Sequence, residues 1–271
     1  MPSAGLPDRF AYWRNVIPDL TDLVVTAQEV NATRGVEYVD TAAALQGATS
    51  TDRPRVAPSA FTSPPDDLGE WLQSPMLHLA RLVIGGAPEV TASTVALSTL
   101  VRQVGTLVQD AGREAGGVGI YVHPDLDGYY RRLRTPSCKR CAVMAGAWYA
   151  DNAGFDRHPL CDCTHVPAAD RYDDGGYDVV DAIERGQITG LSQADRRAIV
   201  EDGADPSQVI NAKRKGSLQR SSMYGSTTSS TTKRGVYRHK EPRKTPDSIY
   251  REAAGDRDKA LALLARHGYT A

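Results

Sequence analysis

All four cysteines of this 271-residue chain fall within 26 positions, as Cys138-Lys-Arg-Cys141 followed by Cys161-Asp-Cys163, with His158 and His165 flanking the second pair. A CxxC and a CxC separated by 19 residues, with histidines on the second arm, have the layout of a zinc knuckle. Four thiolates, or three and an imidazole, complete a tetrahedron. The candidate ligands are therefore Cys138, Cys141, His158, Cys161 and Cys163, with His165 as a further imidazole. Four sulfurs already suffice, although crowding in the CxC loop would favour a histidine in place of one of them. A closed set of four protein ligands leaves no position for water, so the expected zinc is structural, and in small zinc peptides such binding contributes roughly 10–16 kcal/mol to folding. Disulfides are the competing account. The chain opens with no charged-then-apolar leader, so nothing marks it as secreted, and reduced thiols without metal are the remaining alternative.

The rest of the composition is that of an ordinary soluble protein, 41% hydrophobic and 24% charged, with sparse aromatics at 7%. The apolar run around residues 79–86 is far too short to span a bilayer, so no membrane association is expected, and an intracellular origin is. A net charge of -1 hides a polarity, because residues 211–244 carry ten Lys or Arg against one Glu while the remainder is acidic.

Apolar residues at three- and four-residue intervals from Phe10 to Ala27 predict a helix over residues 8–44, kinked or split at Pro18. A proline-rich loop over 50–66 precedes a helix from Asp66-Asp67 to Val83, and a third helix over 95–108 closes at Gly116-Gly117. His78 is assigned to this helical core. Val118 to Val122 and Tyr129 to Leu133 then read as a β-hairpin leading into the cysteines, with Arg140 to Ala145 starting a short helix and Trp148, Tyr149 and Phe155 packing around the metal subdomain. Ser192, Asp205-Pro206 and Thr245-Pro246 mark helix starts. The Ser, Thr and Gly of residues 216–233 read as a flexible linker, and Ile249 to His267 as a helical pair ending at Gly268. The fold class is α+β, mainly α, in five regions: a helical N-terminal region (1–115), a hairpin and Cys/His subdomain (116–170), short helices (171–215), a flexible basic linker (216–244) and a C-terminal helical hairpin (245–271).

Several enzyme classes lack their signatures. No His-x-Glu lies upstream of a CxxC as a zinc deaminase needs, and no His-Glu-x-x-His and no Gly-x-Ser-x-Gly occurs. An HNH-like metal-dependent nuclease is the alternative that remains, since Asn152, His158 and His165 imitate its catalytic arm, although the His-His pair is absent. The basic positions Lys213, Arg214, Lys215, Arg220, Lys233, Arg234, Arg238, Lys240, Arg243 and Lys244 suit non-specific contact with a polyanion such as double-stranded DNA, the bland alternative being a solvated linker.

Pro136-Ser-Cys-Lys-Arg-Cys141-Ala-Val-Met-Ala-Gly146, with Trp148-Tyr149, Asn152-Ala-Gly-Phe155 and His158-Pro-Leu-Cys-Asp-Cys163, resembles the MuF-like minor capsid proteins of tailed phages, the phage head-morphogenesis family. Gly203-Ala-Asp-Pro206, Val209-Ile-Asn-Ala212, Thr245 to Tyr250, Gly255 to Asp258 and His267-Gly-Tyr269 resemble the C-terminal part of versions from phages of actinobacteria. The resemblance implies a non-enzymatic structural role inside the virion, at the capsid interior or portal vertex, after assembly in the host cytoplasm. Its implied partners are the portal, major capsid and scaffold proteins, and packaged DNA. Relatives fused to a maturation protease or toxin carry signatures that this chain lacks.

Overall fold

The computed structural model describes residues 5–154, 161, 163–171, 177–214, 216–219, 225–231 and 236–270. In chain order the elements are α1 (Leu6–Ala44), α2 (Pro65–Trp71), α3 (Ser74–Ile84), α4 (Glu89–Tyr121), β1 (Gly128–Arg132), β2 (Ser137–Cys138), α5 (Lys139–Ala142), β3 (Trp148–Ala150) and β4 (Thr164–Ala168). They continue with α6 (Val179–Glu184), β5 (Ile188–Thr189), α7 (Gln193–Val200), α8 (Pro206–Ala212), β6 (Leu218–Gln219), β7 (Ser226–Thr227), β8 (Arg243–Lys244), α9 (Pro246–Ala253) and α10 (Arg257–Arg266). Helices dominate over small sheets, so the class is α+β, mainly α. The chain divides into two compact units, Met1–Arg131 with Trp148–Asp174, and Arg132–Ala147 with Gly175–Ala271.

In the first unit α1 and α4 lie against each other through backbone. A Cβ on Gly35 of α1 would fall 2.1 Å from the carbonyl oxygen of Gly112 in α4, and one on Gly112 would fall 2.5 Å from Asn31 Nδ2. Asn31 uses that closeness to donate to the Val108 carbonyl at 2.6 Å. The seam corrects one expectation: Gly116-Gly117 does not close α4, and Val118 to Tyr121 are its final turn rather than a strand. Glycine signals a helix end because it loses entropy in a helix interior. Here that cost is offset by an approach no side chain would permit.

Two further corrections follow from proline and from helical phase. The helix expected over 66–83 is interrupted between α2 and α3, where Pro75 in the first turn of α3 has no N–H to donate to the Trp71 carbonyl and so breaks the hydrogen-bond ladder. By contrast α1 continues through Pro18 and is not split there. Pro75, Met76, Leu79 and Ala80 form the buried face of α3, which leaves His78 exposed and outside the core. The apolar interior is built from Met76, Leu79, Ala92 and Ala96 packed by Phe10 and Trp13, from Val24, Leu68 and Leu72, and from Val39, Ala43, Ile120, Leu126 and Tyr129.

The expected hairpin partner of β1 is now helical, and β1 instead lies at the centre of a sheet ordered β3-β1-β4. Its antiparallel register with β3 sets Tyr129 opposite Tyr149 and Tyr130 opposite Trp148. Both pairs make ring contacts, stacked at 5.3 Å and edge-on at 5.0 Å between centroids, so Trp148 and Tyr149 pack as the sequence suggested. Phe155 lies outside the described residues.

In the second unit β2 pairs in parallel with β5, and the helix starts follow their caps. Ser192 and Asp195 form a reciprocal capping box on α7, and the Asp205 carboxylate accepts from the Gln208 N–H at the head of α8. Helices α9 and α10 form the C-terminal pair. The segment expected as a flexible linker contains the antiparallel sheet β6-β7-β8. Polar groups hold its described residues: the Ser248 hydroxyl donates to the Gly225 carbonyl at 2.6 Å, and Thr227 and Arg243 are fully buried.

Two stability measurements test these packings. Gly35→Ala should cost about 3 kcal/mol in urea unfolding through overpacking of the α1–α4 seam, whereas Gly154→Ala, with nothing within 4 Å of the added carbon, should stay within about 0.5 kcal/mol. In the second unit, burial followed by the charges of Lys244 and Arg266 lowers the His267 pKa to about 4. The unfolded state therefore binds the extra proton, and stability should fall by roughly 1–3 kcal/mol as pH drops from 6.5 to about 4. His267→Gln should flatten the pH dependence in that window.

Candidate metal centre

The two cysteine arms reach the site on different local structures. Cys138 closes β2 and caps α5, and Cys141 lies one turn into that short helix. Cys161 and Cys163 lie directly before β4, two positions apart. Arg113 of α4 donates to the Cys161 carbonyl and holds this arm.

The Sγ atoms of Cys141, Cys161 and Cys163 all lie within 4.8 Å of one another. All three residues are buried, at no more than 1% exposure, and none is in a disulfide. Three thiols so placed can bind a metal ion. Cys138 is half-buried and outside that group, and His158 lies outside the described residues. His165, in β4, is also outside the group: its ring lies 4.1 Å from that of Tyr129, tilted by 34°.

One contributor was not singled out in the sequence. Arg131 of β1 is 1% exposed, and its Nη2 points at Cys163 Sγ at 3.5 Å and Cys161 Sγ at 4.0 Å. A buried guanidinium remains charged and so stabilises the thiolate, which is the form that ligates metal. It also offsets the surplus negative charge of a divalent ion held by three or four thiolates. The available signal was a charge inside a strand otherwise buried from Gly128 to Tyr130, a few residues ahead of the CxxC.

The basic positions separate into those held by the fold and those left in solvent. Arg243 is fully buried, donating from Nη1 to the His267 carbonyl at 3.1 Å and from Nη2 to the Gln208 carbonyl at 3.2 Å, with its guanidinium over the Tyr269 ring at 4.4 Å. Burial lowers its pKa from the usual value. Lys213 joins Asp195 at 2.8 Å and also pairs with Asp247. Although burial pushes the Asp247 carboxyl upward, the hydrogen bond and charge of Lys213 prevail and hold it below the usual carboxylate range. Lys244 pairs with Glu252. These three correct the expectation of a solvated basic stretch, since Arg243 has no surface to offer a phosphate and the two lysines are engaged by carboxylates. Arg214, Arg238 and Lys240 are exposed, while Lys215, Arg220, Lys233 and Arg234 lie outside the described residues.

A cleft of about 890 Å³ in the first unit is lined by Asn152 and His165 together with Asp110, Glu114 and Asp151. Two of the three residues named for the nuclease alternative thus share one opening. Among the described residues no helix is long and apolar enough to cross a membrane. No protein-family model matches the chain, and no curated protein or solved structure matches it.

Arg131→Met keeps the length of the side chain and removes its charge. With Zn²⁺ as the probe ion, it should weaken metal affinity about 10- to 100-fold in competition with a chromophoric chelator, while Cys161→Ser should abolish stoichiometric binding.

Proposed function

We propose that this chain is a non-enzymatic structural protein whose cysteine cluster holds a structural zinc ion, and that it serves as a minor capsid or head-morphogenesis protein of a tailed phage. The observation that carries the structural role is the burial of Cys141, Cys161 and Cys163, which denies a substrate access to the metal. Cys138 or His158 supplies the fourth ligand. The assignment to phage heads rests on the likeness of the 136–163 segment to MuF-like proteins, with portal, major capsid and scaffold proteins as partners. Contact with packaged double-stranded DNA would fall to Arg214, Arg238 and Lys240 among the described residues.

A second reading, a metal-dependent nuclease, is favoured by one observation, the shared cleft of Asn152, His165 and the carboxylates. Mg²⁺- or Mn²⁺-dependent cutting of plasmid DNA that is lost in His165→Ala would establish it and overturn the structural one.

The structural reading is tested by co-expressing the chain with the portal, scaffold and coat proteins of a tailed phage and sedimenting the assembled heads. The chain should sediment with the heads and carry one zinc per copy, and Cys161→Ser should leave it in the soluble fraction. Recovery of the unaltered chain only in the soluble fraction would refute the head assignment. For DNA, replacing Arg214, Arg238 and Lys240 by Ala should make the slope of log K against log salt shallower by about 2.7 if all three meet phosphates.

A further inference from the structure

The face of α1 turned away from α4 is unusually apolar for an exposed helix surface. Thr21, Val24, Gln28, Ala32, Val39 and Ala43 form its buried side. On the opposite side lie Tyr12, Leu23, Val30, Tyr38 and Leu45, with Leu23 at 65%, Val30 at 46% and Leu45 at 84% exposure. At about 100° per residue these five fall within an arc of roughly 80°, so they form one stripe along the length of the helix. Large exposed side chains scattered singly need no explanation, but five on one narrow arc of a helix do.

The charges on the same stripe indicate what covers it. Asp19 precedes Leu23 by four residues, Val30 follows Leu23 by seven, and Arg34 follows Val30 by four. The pattern is symmetric in spacing and in apolar character, and antisymmetric in charge. All four residues share an arc of about 60°, and Asp19 and Arg34 stand about 22 Å apart along the axis. Among the described residues neither takes part in an ion pair of its own chain.

From this we infer that α1 is the interface of a homodimer, formed with a second copy of the chain in antiparallel orientation about a two-fold axis near Thr26 and Ala27. That register sets Leu23 against Val30 of the other copy, and Asp19 against its Arg34, twice over by symmetry. A parallel in-register pair would set Asp19 against Asp19 and Arg34 against Arg34, so the charges select the antiparallel arrangement. Helices of this length pack side by side with the apolar stripe as the seam and the charges at its margins. The dimer does not depend on the metal or on the head assignment.

Sedimentation velocity of the zinc-loaded full chain across 1–100 µM tests this. The unaltered chain should dimerise. Asp19→Arg alone, or Arg34→Asp alone, turns two attractions into two repulsions and should raise the dimer Kd about tenfold. The double variant Asp19→Arg/Arg34→Asp restores the pairing with reversed polarity and should return Kd to within about threefold of the unaltered chain. Leu23→Glu should leave monomer at every concentration in that range, with an unchanged melting temperature because the side chain is exposed. A monomeric unaltered chain, a double variant as weak as either single one, or an unaffected Leu23→Glu dimer would each overturn the inference.

Discussion

The close approach of α1 and α4 fixes the first unit. Because Gly35 meets the Gly112 carbonyl without an intervening side chain, the two longest helices lie nearer to each other than ordinary side-chain packing allows. That distance keeps α4 helical through Gly116, Gly117 and Gly119, and so decides where the chain emerges to form β1. The sheet β3-β1-β4, the aromatic pairs on it and the position of Arg131 all follow from that exit. Hydrophobic burial by Val39 and Ile120 stabilises the pair, but the glycines set its geometry.

Buried guanidinium groups recur as an organising device. Arg131 has its charge against sulfur, and Arg243 against backbone carbonyls and the Tyr269 ring. Taking either out of water is expensive, and each environment makes the residue specific to its place, since a lysine would not span the same acceptors. In the second unit a smaller version joins three helices, with Lys213 after α8 bridging Asp195 of α7 and Asp247 of α9. These polar centres occupy positions that larger domains fill with apolar side chains.

Much of the architecture was legible because it is written in local chemistry. Capping at Ser192 and Asp205 and the periodicity of α1 each act over a few residues, and the structure follows them. What was not legible depends on contacts between distant residues. Gly116-Gly117 carries the same local signal whether it ends a helix or lines a seam, and only Gly35, some eighty positions away, decides between them. The run of Lys and Arg over 211–244 reads as one basic stretch, yet Arg243 is drawn inside by carbonyls of Gln208 and His267, which composition does not reveal. Of the candidate site, the convergence of Cys141, Cys161 and Cys163 was readable from spacing, whereas the charge that faces them comes from a strand before either cysteine pair.

The nature of that charge has a consequence for reversibility. A histidine or lysine beside a metal site lets a change in acidity remove the supporting charge, so that uptake and release respond to two groups at once. A guanidinium keeps its proton at any pH a protein survives. With Arg131 in place, acid can act on a bound ion only through the ligand atoms themselves, and the supporting charge is the same whether or not an ion is present.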